Sequence, residues 1–125
     1  MIALDYRDKR PIYEQIVEKL EKLIVCGALE SNTKMPSVRT LAMELAVNPN
    51  TIQRAYAQLE QDGYLYTVVG RGNYVTSEKE WKRGLMKEVL SELESIFIKA
   101  RDSQVPRGEI VALLDRIYPK EGEQS

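Results

Sequence analysis

Apolar residues in the first half of the chain recur at steps of three and four, the spacing of one face of an α-helix. Three such runs occur: one starts after Pro11 and ends at Gly27, and two others occupy roughly residues 37–46 and 49–62. Their inward-facing residues are Tyr13, Ile16, Val17, Leu20, Leu23 and Ile24, then Val38, Leu41, Ala42 and Leu45, then Ile52, Ala55, Tyr56 and Leu59. The pattern predicts three amphipathic helices whose apolar faces form a core.

The ends of the second and third helices carry capping signals. Ser37 and Asn48 are short polar residues whose side-chain oxygens can accept a backbone N–H of the first helical turn. Pro49 follows at the first helical position, where a missing N–H costs nothing, and Gly63 can adopt the left-handed conformation that ends a helix. Very few residues therefore separate the two helices.

A hairpin pattern follows the third helix. Residues 64–68 and 73–76 are β-prone and flank Gly70-Arg71-Gly72, whose glycines permit positive φ in a tight turn. Two helices joined by a tight turn and followed by a hairpin describe a winged helix-turn-helix, whose second helix usually enters the DNA major groove. The predicted fold class is mainly α with a small β-hairpin (α+β), and the winged domain is expected over residues 1–77.

Beyond Ser77 the pattern predicts a helix of roughly 25 residues, an interruption at Val105-Pro106-Arg107-Gly108, and a short helix that Pro119 ends. Two helices cannot cover this much apolar surface between themselves, so residues 78–125 are expected to form a dimerisation segment. The expected interface residues are Trp81, Leu85, Val89, Leu93, Ile96, Phe97, Ile110, Leu113, Leu114 and Ile117. The alternative is that the long helix packs back on its own winged domain. Residues 120–125 are expected to be a frayed polar end.

Composition narrows the function classes. The chain has 125 residues, 43% hydrophobic and 30% charged, as is ordinary for a soluble globular protein with one compact domain and an appendage. One cysteine and no histidine argue against a disulfide framework, ordinary zinc sites and Ser-His or Cys-His catalysis. No apolar run approaches the roughly 20 residues of a membrane span, and no signal peptide is recognised. We expect a cytoplasmic protein with no catalytic activity, metal, cofactor or membrane partner.

The net charge is −1, so DNA binding depends on how the charges are distributed. Residues 1–76 hold as many Lys and Arg residues as Asp and Glu residues. In the central part of the chain the bases are Lys34, Arg39, Arg54 and Arg71, and the acids are Glu44, Glu60 and Asp62. This footprint is positive but modest, which predicts that tight binding needs a dimer.

The start of the third helix carries side chains that can read bases. Asn50 and Gln53 can pair with adenine, Arg54 with guanine or phosphate, and Thr51 with a phosphate oxygen or a thymine methyl. Arg71 at the hairpin tip suits a narrow A·T-rich minor groove. The alternative interpretations are a capped, solvated helix end and an ordinary exposed arginine.

Five short motifs occur in order along about residues 11–76. They are Ile12-Tyr13-Glu14-Gln15-Ile16, Met35-Pro36-Ser37-Val38-Arg39, Val47-Asn48-Pro49-Asn50-Thr51-Ile52, Leu59-Glu60-Gln61-Asp62-Gly63 and Gly70-Arg71-Gly72. Together they resemble the GntR family of bacterial transcription regulators. The Asn-Pro-Asn-Thr run and the short tail are similar to its YtrA-type subfamily.

The resemblance implies that Arg39 and the start of the recognition helix contact DNA, that the wing enters the minor groove, and that a homodimer binds a palindromic operator. The candidate DNA-binding residues are Ser37, Arg39, Asn48, Asn50, Thr51, Gln53, Arg54, Gly70, Arg71 and Gly72. Many GntR relatives have arginines where this chain has Pro49 and Gln53, so its base preference is expected to differ from theirs.

The expected function is that of a dimeric, sequence-specific repressor that binds an inverted repeat in double-stranded DNA. The YtrA-type resemblance suggests control of a neighbouring transporter operon. A small-molecule effector could bind in the dimer crevice, although the sequence has no pocket signature. The alternative is a winged-helix protein-interaction module, against which the bases Arg39, Arg54 and Arg71 argue.

Overall fold

The computed structural model describes residues 2–119, which form five helices and a two-stranded antiparallel sheet. The elements are α1 (Ile12–Val25), α2 (Val38–Leu45), α3 (Pro49–Gln61), β1 (Leu65–Val68), β2 (Gly72–Val75), α4 (Glu78–Asp102) and α5 (Arg107–Ile117). The prediction of a mainly α fold with one small hairpin is confirmed. The polar end expected at residues 120–125 lies outside the described residues.

The caps of α2 and α3 lie where their residue types predict. The Ser37 hydroxyl oxygen accepts the Thr40 N–H at 3.0 Å, and the Asn48 side-chain oxygen accepts the Asn50 N–H at 2.8 Å. Ala46, with φ of 54°, ends α2 in the left-handed conformation. Because Asn48 already caps α3, the turn between the two helices is tight.

The chain divides into a first unit that extends to Gly84 and a second that begins at Leu85. This division falls within α4, beyond the boundary expected between residues 77 and 78. In the first unit, α3 packs against α1, α2 and β1. The buried apolar residues are Ile16, Leu20, Ile24, Met35, Leu41, Ala42, Ile52, Ala55, Tyr56, Leu59, Tyr64, Leu65, Val75 and Trp81. The stripes predicted for α1, α2 and α3 therefore do form a core, with some of their members, such as Val38 and Leu45, only partly buried at its margin.

Trp81 corrects one expectation about the dimer interface. Its side chain is only 6% exposed, and its ring centroid lies 6.1 Å from that of Tyr64 in the same chain. Trp81 is thus a core residue of the first unit and has little surface left for a partner. The apolar spacing could not show this, because Trp81 continues the same helical stripe as the residues that follow it.

The second unit has a different character. Trp81, in the first unit, is the one buried residue of α4, and α5 has none, within the described chain. Gln104, with φ of 64°, separates the helices, and α5 already begins at Arg107. The predicted interruption was therefore too long, because Arg107 and Gly108 form the first turn of α5. None of the described helices combines the length and apolar character needed to cross a bilayer.

Candidate nucleic-acid interface

The start of α2 is fixed to α3 by the buried side chain of Tyr56. Its hydroxyl donates to the Pro36 carbonyl at 2.8 Å. Burial, with a smaller contribution from the Glu44 carboxylate, raises the pKa of Tyr56 to about 12, so the hydroxyl keeps its proton and remains a donor at neutral pH. The bond holds the segment that leads into α2, whose first turn presents Arg39 to solvent.

The outer surface of α3 consists of two rows, because residues three and four apart share a helix face. Asn50, Gln53 and Ala57 form an exposed row. The second row contains Thr51, Arg54 and Gln58, of which Thr51 and Gln58 are partly buried. A depression shared with α1 adjoins each end of this second row. Asn50 also borders one of these depressions, and the amides of Asn50 and Gln53 are both exposed, as base-reading side chains would be.

Arg54 is exposed, as predicted, but its head group is held in place. The guanidinium carbon lies 3.8 Å from the centroid of the Tyr13 ring on α1. This is a cation–π contact, in which the positive charge is attracted by the electron-rich ring face. The residue pattern predicts Arg54 among the base-reading residues and Tyr13 in the core, and it does not predict the contact between them.

The wing is a hairpin with Val68 opposite Gly72 and Leu65 opposite Val75. Its loop closes with the Arg71 N–H donating to the Val68 carbonyl at 2.9 Å, and Arg71 is exposed. Gly72 has φ of 121°, and a Cβ at this position would lie 3.3 Å from Cε of Lys34. The backbone conformation thus favours glycine at position 72, whereas the Lys34 side chain would have to shift only slightly to admit a Cβ.

Residues 32–35 lie beside β2 as a third, irregular strand. The Asn32 N–H donates to the Val75 carbonyl at 2.7 Å, and the Met35 N–H donates to the Asn73 carbonyl at 2.8 Å. This pairing places Lys34 opposite Tyr74, beside the wing. Lys34 is therefore a further candidate DNA contact, which its position in the sequence shows as a base but does not place in the site.

Val69 is a second residue that sequence analysis did not assign. It is 95% exposed at the wing tip, next to the Gly70-Arg71-Gly72 loop. Apolar side chains on such projections can pack into a minor groove. In a sequence, a valine between a strand and a glycine is typical of the end of a strand, and this pattern does not predict exposure. Only the structure shows that Val69 is exposed.

The wing is also tied to the recognition helix. The Thr67 hydroxyl oxygen lies 3.1 Å from a Glu60 carboxylate oxygen on α3 and 2.9 Å from the Asn73 side-chain oxygen, and it can donate its proton to either. The Tyr66 and Tyr74 rings stack with centroids 5.6 Å apart. These contacts set the direction of the wing relative to α3.

The charges near these elements are not neutralised by ion pairs. In residues 2–119 the acids that form salt bridges pair with Arg10, Lys22, Lys82 and Arg101. Hydrogen bonds from Arg10 lower the pKa values of Asp8 and Glu18. The negative charges of these two side chains compensate the positive charge of Arg10. Lys34, Arg39, Arg54 and Arg71 are in none of these pairs and remain available to an anionic partner.

The other predicted site residues have structural roles. The Ser37 hydroxyl accepts one cap bond and donates to the Thr40 hydroxyl oxygen at 2.8 Å, so its one proton is used within the chain. Asn48 uses its side-chain oxygen as a cap. Gly70, with φ of 81°, shapes the wing loop together with Gly72.

A helix pair joined by a tight turn, an exposed polar row on its second helix and a hairpin tied to that helix define a winged helix-turn-helix, a nucleic-acid-binding fold. The family described as "Bacterial regulatory proteins, gntR family" matches residues 12–75. The chain belongs to the GntR family. It is a transcription regulator with a DNA-binding domain and not an enzyme, as its motifs predicted.

Similar proteins agree with this assignment. The HTH-type transcriptional repressor YtrA of Bacillus subtilis is 41% identical over 98 residues, 74% of this chain and 75% of that protein. A GntR family transcriptional regulator from Listeria monocytogenes superimposes with a TM-score of 0.60 at 39% identity, over 92% of this chain and 100% of that one. AraR(DBD) in complex with operator ORE1 gives a TM-score of 0.53 at 30% identity, over 59% of this chain and 90% of that one. The YtrA-type resemblance is confirmed.

Proposed function

We propose that the protein is a sequence-specific repressor that binds an inverted-repeat operator as a homodimer. The observation that carries the proposal is the exposed amide row of α3, which is flanked along the chain by Arg39 in α2 and Arg71 at the wing tip. Neither arginine forms a salt bridge within residues 2–119. The relative YtrA is a repressor, and AraR(DBD) has been crystallised with an operator. Both support the proposal.

In this proposal Asn50 and Gln53 read bases and Arg39 and Arg71 position the protein. Asn and Gln side chains can form two hydrogen bonds with adenine in the major groove. Arg39 contacts the DNA backbone next to α2, and Arg71 enters the minor groove of the DNA. Lys34 and Val69 extend the contact of the wing.

The second unit supplies the dimer interface. Its helices expose many large apolar side chains in a single chain, and a second copy of the same surface covers them in a two-fold dimer. The proposed interface residues are Leu85, Val89, Leu93, Ile96, Phe97, Ile110, Leu113, Leu114 and Ile117, without Trp81. Two recognition helices related by symmetry then meet half-sites centred about one helical turn, roughly 10 base pairs, apart.

The YtrA-type likeness also supports a place in the cytoplasm and control of a neighbouring transporter operon. A small-molecule effector remains a prediction.

Selection of bound duplexes from random DNA tests the proposal. We expect an inverted repeat, and replacing Asn50 or Gln53 with Ala is expected to cost about 1–3 kcal/mol on it and to relax discrimination at one symmetric pair of positions. Gln61→Ala is the matched control, because Gln61 is an exposed glutamine at the far end of the same helix. Enrichment of one asymmetric site, or of no motif, would contradict the dimeric repressor and favour the protein-interaction module.

A further inference from the structure

We infer that Arg54 contacts a DNA phosphate and that Tyr13, on α1, is the residue that positions it. The inference rests on the proposed DNA-binding surface and assigns Arg54 a role different from that of Asn50 and Gln53. Its basis is the stack itself, with the guanidinium carbon 3.8 Å from the centroid of the Tyr13 ring.

The row that contains Arg54 faces the edge of the groove. An α-helix with its side chains is about 10–12 Å across, close to the width of the major groove, so the flanks of a helix in the groove meet its phosphate walls. Arg54 shares its row with Thr51 and Gln58, which are partly buried. The contact with Tyr13 holds the guanidinium on the flank of α3 that lies next to α1.

The stack also leaves the hydrogen-bond donors of Arg54 available. The Tyr13 ring lies on one side of the guanidinium, which carries five N–H donors in its own plane. A planar pair of N–H donors matches two phosphate oxygens. Arg54 forms no salt bridge among residues 2–119, so no carboxylate of the described chain competes for these donors.

There is open space beside the pair for such a contact. A surface depression of about 430 Å³ is lined by Pro11, Ile12, Tyr13, Asn50, Thr51 and Arg54. Pro11, the N-cap of α1, and Ile12 line the same depression as Arg54, and no side chain caps the start of this helix. A phosphate there would meet positive charge from the arginine and positive partial charge from the helix start.

A fixed guanidinium binds better than a mobile one, because its rotamer freedom is already lost before DNA arrives. Tyr13→Leu removes the ring and is expected to weaken DNA binding about two- to fivefold, the range for an exposed cation–π contact. Tyr13→Phe keeps the ring and should bind like the wild type. Arg54→Gln removes the charge and should weaken binding about tenfold.

The test measures affinity for the selected operator and for a scrambled duplex at several salt concentrations, in full-length protein. We expect Arg54→Gln to weaken both complexes by the same factor and to lower the salt slope by about one unit, as loss of one phosphate contact does. Arg83→Gln is the control, because Arg83 is an exposed arginine on α4, outside the proposed surface. An unchanged salt slope, or a loss confined to the operator, would show that Arg54 does not bind phosphate.

A double-mutant cycle tests the role of Tyr13. If Tyr13 acts through Arg54, Tyr13→Leu has no further effect once Arg54 is Gln. A purely structural role would lower affinity equally in both backgrounds and would overturn the inference. Equal binding of the wild type to operator and scrambled DNA would instead contradict the proposed function, while the salt slope on either duplex would still report on the phosphate contact.

Discussion

The two units of this protein use similar apolar stripes for opposite purposes. In the first unit the stripes of three helices converge, and residues such as Leu20, Leu41 and Leu59 are fully buried. In the second unit Leu93, Phe97 and Leu114 have the same helical spacing but are 41–51% exposed in the single chain. The first unit therefore carries its own core, whereas the second can bury its apolar surface only against another surface.

Helical periodicity alone does not distinguish these two situations. An amphipathic stripe shows that one face avoids water, and only the neighbouring elements decide what covers that face. Along α4 the change occurs within a few residues, since Trp81 is buried on the hairpin base and Met86 is 61% exposed. A single continuous helix thus belongs to the core at its start and to the proposed interface beyond.

The largest expected effect comes from removing the second unit. A protein ending at Gly84 should stay folded and sediment as a monomer. It should bind the operator about 100-fold more weakly or worse, because two separate monomers then have to bind the two half-sites. Analytical ultracentrifugation and operator titration measure the two effects. A truncated protein that still sediments as a dimer would place the interface in the first unit.

A shorter truncation is the control for this experiment. A protein ending at Ser77 also loses Trp81, and removal of a buried tryptophan costs about 3–5 kcal/mol. It should therefore unfold at a lower denaturant concentration than the protein ending at Gly84. Equal stability of the two would contradict the assignment of Trp81 to the core.

Matched leucine substitutions should show the same contrast. Leu59→Ala is expected to cost about 2–5 kcal/mol in unfolding of the first unit, because it leaves a cavity. Leu93→Ala should change that transition by less than about 0.5 kcal/mol. Trp81 is the only tryptophan, so its fluorescence reports on the first unit in both variants. A large shift with Leu93→Ala would mean that folding of the first unit depends on the second.

In the alkaline pH range where Tyr56 titrates, the free energy of unfolding should depend on pH only for the first unit. The unfolded pKa is about 10, and the folded value is about 12, so the stabilising contribution is complete below pH 10 and is lost as the pH rises through 12. The expected loss is about 3 kcal/mol. Denaturant unfolding at several pH values measures it in the full chain and in the protein ending at Gly84.

Tyr56→Phe is the control for this pH effect. It should be less stable at neutral pH by about 1 kcal/mol, because the Pro36 carbonyl loses its donor, but its stability should fall less between pH 10 and 12. The same fall in both proteins would assign the effect to other groups.

The smallest expected effect is a gain in stability at the turn between α2 and α3. Ala46 has φ of 54°, which costs an alanine roughly 1–2 kcal/mol. Glycine has no such penalty but loses more conformational entropy on folding, so Ala46→Gly should stabilise the first unit by about 0.5–1 kcal/mol. Thermal unfolding of the two proteins measures the difference, and destabilisation would show that the alanine methyl contributes packing.

Local chemistry made much of the fold predictable. Ser37, Asn48 and Gly63 act through hydrogen bonds and backbone conformations within a few residues of themselves, so their residue types alone placed the starts of α2 and α3 and the end of α3. Contacts between distant segments were not predictable in this way. Gln15 is buried and exchanges two hydrogen bonds of 3.0 Å with the Asp5 backbone, although it occurs on a helix of ordinary charged pattern.

The candidate site shows the same difference between features set by local chemistry and features set by contacts between distant segments. Exposure of Asn50 and Gln53 followed from the positions of Ile52, Ala55 and Tyr56 on the same helix. The stacking of Arg54 on Tyr13 and the placement of Lys34 beside the wing depend on how α1 and residues 32–35 pack on their neighbours, which no local spacing reveals.

The pairing of residues 32–35 with β2 also matters for protein engineering. By chain position this segment is an ordinary connection between two helices, the kind of place chosen for an affinity tag or a reporter domain. Its backbone is paired to β2, however, and the Ser31 hydroxyl oxygen just before it accepts the Glu78 N–H at 2.8 Å where α4 begins. An insertion there would displace the wing and the first turn of α4 together.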